Sequence, residues 1–66
     1  MDIHVVQASR YGTQVAELEY FGTEIERKRV REAWRGFIFQ FRGQSNCMQV
    51  LNAYWDAYCS WTRGES

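Results

Sequence analysis

The sequence predicts an α+β domain, with a small N-terminal β-hairpin packed on an antiparallel helical hairpin. Three observations predict it. Residues 14–21 alternate in polarity, a capping motif opens a helix after Gly22, and apolar residues recur at helical spacing from Cys47 to Trp61. An all-α three-helix arrangement is the alternative, because Val15-Ala16-Glu17-Leu18-Glu19 is also good helix material.

The first eight residues contain Ile3, Val5 and Val6, β-branched side chains that favour an extended strand. Ser9 to Thr13, with Gly12, has the chemistry of a loop. Ala16, Leu18 and Tyr20 then alternate with Glu17 and Glu19, the period of a half-buried strand, so the two runs are expected to pair.

The second boundary is set by Thr23-Glu24-Ile25-Glu26. The Thr23 hydroxyl can accept from the backbone N–H of Glu26 while the Glu26 side chain reaches back to the Thr23 N–H. Glu24 and Glu26 also place negative charge at the positive end of the helix dipole. Val30, Ala33, Trp34, Phe37, Ile38 and Phe41 follow helical spacing as one apolar stripe, and Gly43 supplies the stop. A rival reading ends this helix at Gly36 and makes Phe37 to Phe41 a strand, but it does not account for Trp34 and Ile38 together.

In the last segment Asn46 is the expected cap, paired with Gln49. Cys47, Leu51, Tyr54, Tyr58 and Trp61 form the seam, with Gln49, Asn52, Asp56, Ser60 and Arg63 opposite and Gly64 at the end. The short connection from Gly43 to Asn46 implies that the two helices lie antiparallel.

A length of 66 residues allows a single small domain spanning 1–66. Such a domain buries only about 60% of its unfolded surface, so its stability is marginal. Cys47 and Cys59 on one helix lie about 18 Å apart along the axis. A disulfide needs Cα atoms within about 7 Å, so the two are expected as free, buried thiols. Asp2 and His4 interrupt any apolar leader, and no apolar run reaches the length of a membrane span, so a reducing, cytoplasmic setting is expected.

Formal net charge is zero, but it is segregated. Arg27, Lys28, Arg29, Arg31, Arg35 and Arg42 fall in a window with one acid, Glu32, giving +5 there and −5 elsewhere. Arginine in such numbers favours planar, bidentate recognition of carboxylate or phosphate.

Catalysis is not expected. His4 is the single histidine, and neither cysteine has a basic neighbour in sequence. Glu17 and Glu19 read as a solvated face. His4, Cys47 and Cys59 lack a fourth partner at any zinc-site spacing, so no metal and no cofactor are expected.

Binding is the expected activity. Eight of the eleven aromatic residues fall between Trp34 and Trp61, more rigid apolar area than a minimal core uses. Lys28, Arg31, Arg35 and Arg42 share one helical face, and Phe39 falls among them, away from the core stripe. Aromatics among arginines anchor protein hot spots on acidic partners and also stack nucleic-acid bases. The same arginines could instead pair with the Glu17 and Glu19 side. As a binding face, the stripe should lose its partner when Arg31 and Arg35 are reversed in charge, with the fold intact. Met48, Leu51, Trp55, Tyr58 and Cys59 extend the apolar arc of the last helix beyond what one neighbour can cover, which predicts a homodimer.

Ala16-Glu17-Leu18-Glu19, Gly22 and Ala33-Trp34 together resemble small enterobacterial transcriptional regulators of the ANR and PerC type, which would imply a helical chain. The interval from Gly22 to Trp34 is longer than theirs and their C-terminal arginine-rich motif is missing, so no residue role is carried over. The expected function is therefore a small non-enzymatic protein-binding module. The type suggested is a phage or plasmid accessory inhibitor that occupies a surface of a host protein, such as a nucleic-acid-handling or defence protein. The alternative is a small dimeric nucleic-acid-binding transcriptional regulator.

Overall fold

A computed structural model describes residues 2–64 of the chain as three helices: α1 (Ile3–Phe21), α2 (Glu24–Phe39) and α3 (Cys47–Thr62). No strand is present among the described residues, so the expected N-terminal β-hairpin is corrected to one 19-residue helix and the α+β class to all-α.

The physical reason lies in small residues. Ala8, Gly12, Val15 and Ala16 recur at helical spacing and are all buried, making a seam of little bulk and little hydrophobicity on α1. Gly12 is therefore not a loop glycine. A Cβ there would overlap the Tyr54 carbonyl oxygen and stand 3.1 Å from the Tyr58 backbone nitrogen, so α1 and α3 cross almost backbone to backbone. Ile3, Val5 and Val6 begin the helix rather than a strand because Asp2 caps it, its Oδ1 accepting from the His4 N–H at 2.9 Å.

The capping box forms as read. Thr23 Oγ1 accepts from the Glu26 N–H at 3.1 Å, and Glu26 Oε1 accepts from the Thr23 N–H at 2.9 Å. The bond from the Thr23 backbone N–H first, and then the Thr23 side chain, hold the Glu26 carboxyl below the usual carboxylate range. Only Gly22 and Thr23 separate α1 from α2, so the chain reverses abruptly. The far end of α2 differs from expectation in its last turn. The regular helix stops at Phe39, and residues 40–43 tighten into turns, with the N–H groups of Gln40, Phe41 and Arg42 each bonding three residues back. Gly43 then adopts φ 79°, the left-handed conformation that releases the chain.

Asn46 begins α3 without a side-chain capping bond, so the expected Asn46–Gln49 box is not made. The seam of α3 keeps Cys47, Tyr54, Tyr58 and Trp61 half-buried as expected, but Val50 takes the place read for Leu51. Val50 is fully buried, whereas Leu51 is 36% exposed.

Ala8 packs with Phe41 and Val50, Gly12 with Tyr54 and Tyr58, and Tyr20 with Trp61, so α1 and α3 run in the same direction. Tyr11 meets Trp34 and Phe37, and His4 meets Phe41 edge-on at 5.0 Å, so α2 runs opposite to α1. The principal packing partner of α3 is therefore α1, and the α2 and α3 backbones approach each other at few points and meet through side chains, unlike the closed helical hairpin expected from sequence. The core is thin: Val50 is the largest side chain wholly out of water, and the molecule measures 34 × 25 × 15 Å. Cys47 and Cys59 both lie on α3, free and half-buried. No helix among the described residues is long and apolar enough to cross a membrane.

Candidate functional site

Because α2 and α3 splay apart over α1, a groove opens between them. Its floor is Val15 and Glu19 of α1; one wall is Arg31, Trp34, Arg35 and Ile38 of α2, and the other is Tyr54, Trp55 and Tyr58 of α3. The helical periodicity of each wall sets this layout. Arg31, Trp34, Arg35 and Ile38 follow steps of three, one and three on α2, and Tyr54, Trp55 and Tyr58 steps of one and three on α3, so each set stays on one face.

Stacked rings line the groove. Trp34 and Tyr54 lie 4.1 Å apart at 9°, bridging α2 and α3. Tyr58 continues the series, 6.4 Å from Tyr54, and Trp55 stacks on Tyr58 at 5.4 Å and 11°. Trp55 remains 58% exposed, a flat apolar surface at the groove's edge.

One polar contact network joins all three helices at the groove floor. Glu19 Oε1 accepts from Arg31 Nη2 at 2.8 Å, and Glu19 Oε2 accepts from the Tyr58 hydroxyl at 2.5 Å. The Tyr58 hydrogen bond first, and then the Arg31 guanidinium, hold the Glu19 carboxyl below the usual carboxylate range. Reciprocally, the hydrogen bond to Glu19 and then burial push the Tyr58 hydroxyl up to about 12. Burial, followed by the Glu19 charge, raises Tyr54 as well. Glu19 is thus no solvated carboxylate, whereas Glu17 is exposed. The hydroxyl that finds Glu19 lies 39 residues away, a pairing with no signal in local spacing.

The sequence-predicted binding stripe is divided by the structure. Arg31 and Arg35 face the groove, with Arg31 bound to Glu19 and Arg35 in no ion pair among the described residues. Lys28 lies with Arg27, Arg31 and Arg35 in a second depression along α2, lined also by Glu24 and Glu32. Phe39 ends α2, 66% exposed, and Arg42 in the following turn places its guanidinium 5.7 Å from the Phe39 ring centroid. The residues predicted for a dimer interface divide too. Trp55 and Tyr58 line the groove, Met48 and Leu51 are exposed on α3 outside the groove lining, and Cys59 is half-buried. Residues from both predicted sets therefore meet in one groove, which neither set alone indicated. Trp34 and Tyr54, read from sequence as core, are half-buried contributors to it.

Among the described residues, no group of three or more His, Cys, Asp or Glu is arranged as a metal site. What fold and site define is a small three-helix domain with an open, aromatic groove edged by arginine. Its sequence matches no protein-family model and no curated protein, and no solved structure matches it.

Proposed function

We propose that this chain is a small non-enzymatic protein-binding module that occupies the surface of a partner protein through the α2–α3 groove. The observation that carries the reading is the groove itself, with stacked rings, exposed Trp55 and, on the opposite wall, Arg35, which makes no ion pair among the described residues. Trp, Tyr and Arg dominate protein hot spots because they bring large rigid area and planar hydrogen bonding into one desolvated site. Met48 and Leu51 continue the apolar surface along α3, and aliphatic side chains of this kind match a protein partner better than a base stack. Small size and segregated charge fit an accessory inhibitor of the phage or plasmid type, acting on a host protein.

The exposed pair Phe39 and Arg42 favours a second reading, nucleic-acid binding, since a ring under a guanidinium can stack a base beside a phosphate contact. Self-association through α3 is the third use of the same exposed surface, and light scattering measures it directly.

The test is capture of partners from a nuclease-treated extract of the source cells. Wild type should retain a protein that Trp55→Ala combined with Arg35→Glu does not, with helix content unchanged in the variant. Arg31→Glu is unsuitable for this purpose, because it would set a second carboxylate against Glu19 and weaken the fold. Recovery of nucleic acid alone from a parallel extract left untreated by nuclease, with affinity falling steeply and linearly against log salt, overturns the protein reading.

A further inference from the structure

We infer that the occupant of the α2–α3 groove is an amphipathic helix carrying carboxylates along the edge of its apolar stripe. This deepens the proposed function and rests on it. The α1 helix packs against both walls, while α2 and α3 meet each other chiefly through the Trp34–Tyr54 stack, so the position for a fourth helix lies on top of that stack. A fourth helix would bury Ile38 and Trp55 and lie along Trp34 and Tyr54, completing the bundle that three helices leave open.

Charge decides which helix. Glu19, the acid in the groove, is already bound by Arg31 and Tyr58. Arg35 is exposed, without an ion pair among the described residues, and stands on the α2 wall within a helix whose Arg27, Lys28, Arg29, Arg31 and Arg35 outnumber its Glu24, Glu26 and Glu32. A guanidinium at the edge of an apolar groove selects a carboxylate, which it can grip with two parallel hydrogen bonds. A second copy of this chain is the weaker match, since its exposed α3 carries a single charge, Asp56, within Cys47–Thr62. The geometry therefore favours a heterologous, acidic helix over self-pairing.

The test uses two synthetic helical peptides with leucine at alternating spacings of three and four, one flanked by glutamate and one by lysine. Binding is followed on the full chain by the indole N–H resonances of Trp34 and Trp55, with Trp61, which sits with Tyr20 and Phe21 away from the groove, as internal reference. The glutamate peptide should bind about tenfold or more tighter than the lysine peptide, moving Trp34 and Trp55 but not Trp61. Arg35→Glu should reverse that preference, which separates a charge contact from general loss of structure. Equal binding of the two peptides, or preference for lysine, overturns the acidic-helix inference while leaving a protein-binding groove in place. Displacement of the glutamate peptide by single-stranded DNA at matched charge and salt assigns the groove to nucleic acid and overturns the inference together with the proposed function. A dimer in light scattering whose Trp34 and Trp55 resonances already differ from those of a diluted monomer also overturns it, because the groove is then filled by a second copy.

Discussion

At the residue scale, glycine makes the sharpest test of the fold. Replacing a glycine by alanine inside a helix ordinarily stabilises it by up to about 1 kcal/mol, because the backbone has less freedom to lose. Gly36, exposed within α2, has nothing near the position of an added Cβ, so Gly36→Ala should follow that rule. Gly12 should reverse it. Its added Cβ would drive into the Tyr54 carbonyl, and backbone cannot swing aside as a side chain can. Gly12→Ala is expected to destabilise by about 1–3 kcal/mol, the range for overpacking a tight contact. Denaturant melts of the two variants read opposite signs if α1 and α3 cross where the structure places them. A stabilised Gly12→Ala would show that they do not. Sequence placed Gly12 in a loop because glycine's freedom is its common use, and close helix approach leaves no local mark of its own.

At the element scale, helices with strong local devices were legible and the one without them was not. α2 carries its reciprocal Thr23–Glu26 cap and a stripe of large apolar residues, both visible in one pass along the chain. α1 is held by Asp2 and by a seam of Ala8, Gly12, Val15 and Ala16, whose small side chains contribute little periodic signal. Across its final turns, Ala16 to Tyr20 mimics the alternation of a strand while packing as a helix. α3 was legible as a helix with Cys47, Tyr54, Tyr58 and Trp61 inward, but its apolar residues nearly encircle it, so Val50 was not distinguished from Leu51. Structure separates the two, with Val50 wholly buried against Ala8 and Phe41, and Leu51 turned outward. Val50→Ala should therefore cost about 2 kcal/mol through lost burial and a residual cavity, and Leu51→Ala under about 1 kcal/mol. Equal or reversed costs in chemical denaturation would restore the register read from sequence. The groove residues were legible in the same partial way. Arg31, Arg35, Trp55 and Tyr58 were each singled out, but on separate faces, since which walls share a groove depends on how α2 and α3 sit over α1.

At the scale of the whole molecule, Arg31, Glu19 and Tyr58 link all three helices through polar contacts, so the ionisation of Glu19 and of Tyr58 is coupled to folding. Glu19 has a folded pKa below its ordinary 4.5, chiefly through the Tyr58 hydrogen bond. Its stabilisation is therefore present above that ordinary value and is lost as pH falls through the lowered one. Tyr58 has the opposite sign, raised from 10.0 to about 12 by its bond to Glu19. Its stabilisation is complete below pH 10.0 and is lost as pH rises from there towards 12, where the unfolded chain ionises first. Melting temperature should thus hold across the neutral range and decline at both extremes from the same contact network. Glu19→Gln separates this network from general acid and alkaline unfolding. It removes the carboxylate that holds the Tyr58 proton, so tyrosinate absorbance should show Tyr58 moving from about 12 back towards 10.0. The alkaline decline should then lose the part that Tyr58 supplies, while the neutral melting temperature drops because Arg31 and Tyr58 lose a charged acceptor. A tyrosine titration identical in wild type and Glu19→Gln would mean that the three helices are not joined at this point, and that the groove floor beneath Trp34 and Tyr54 is arranged differently.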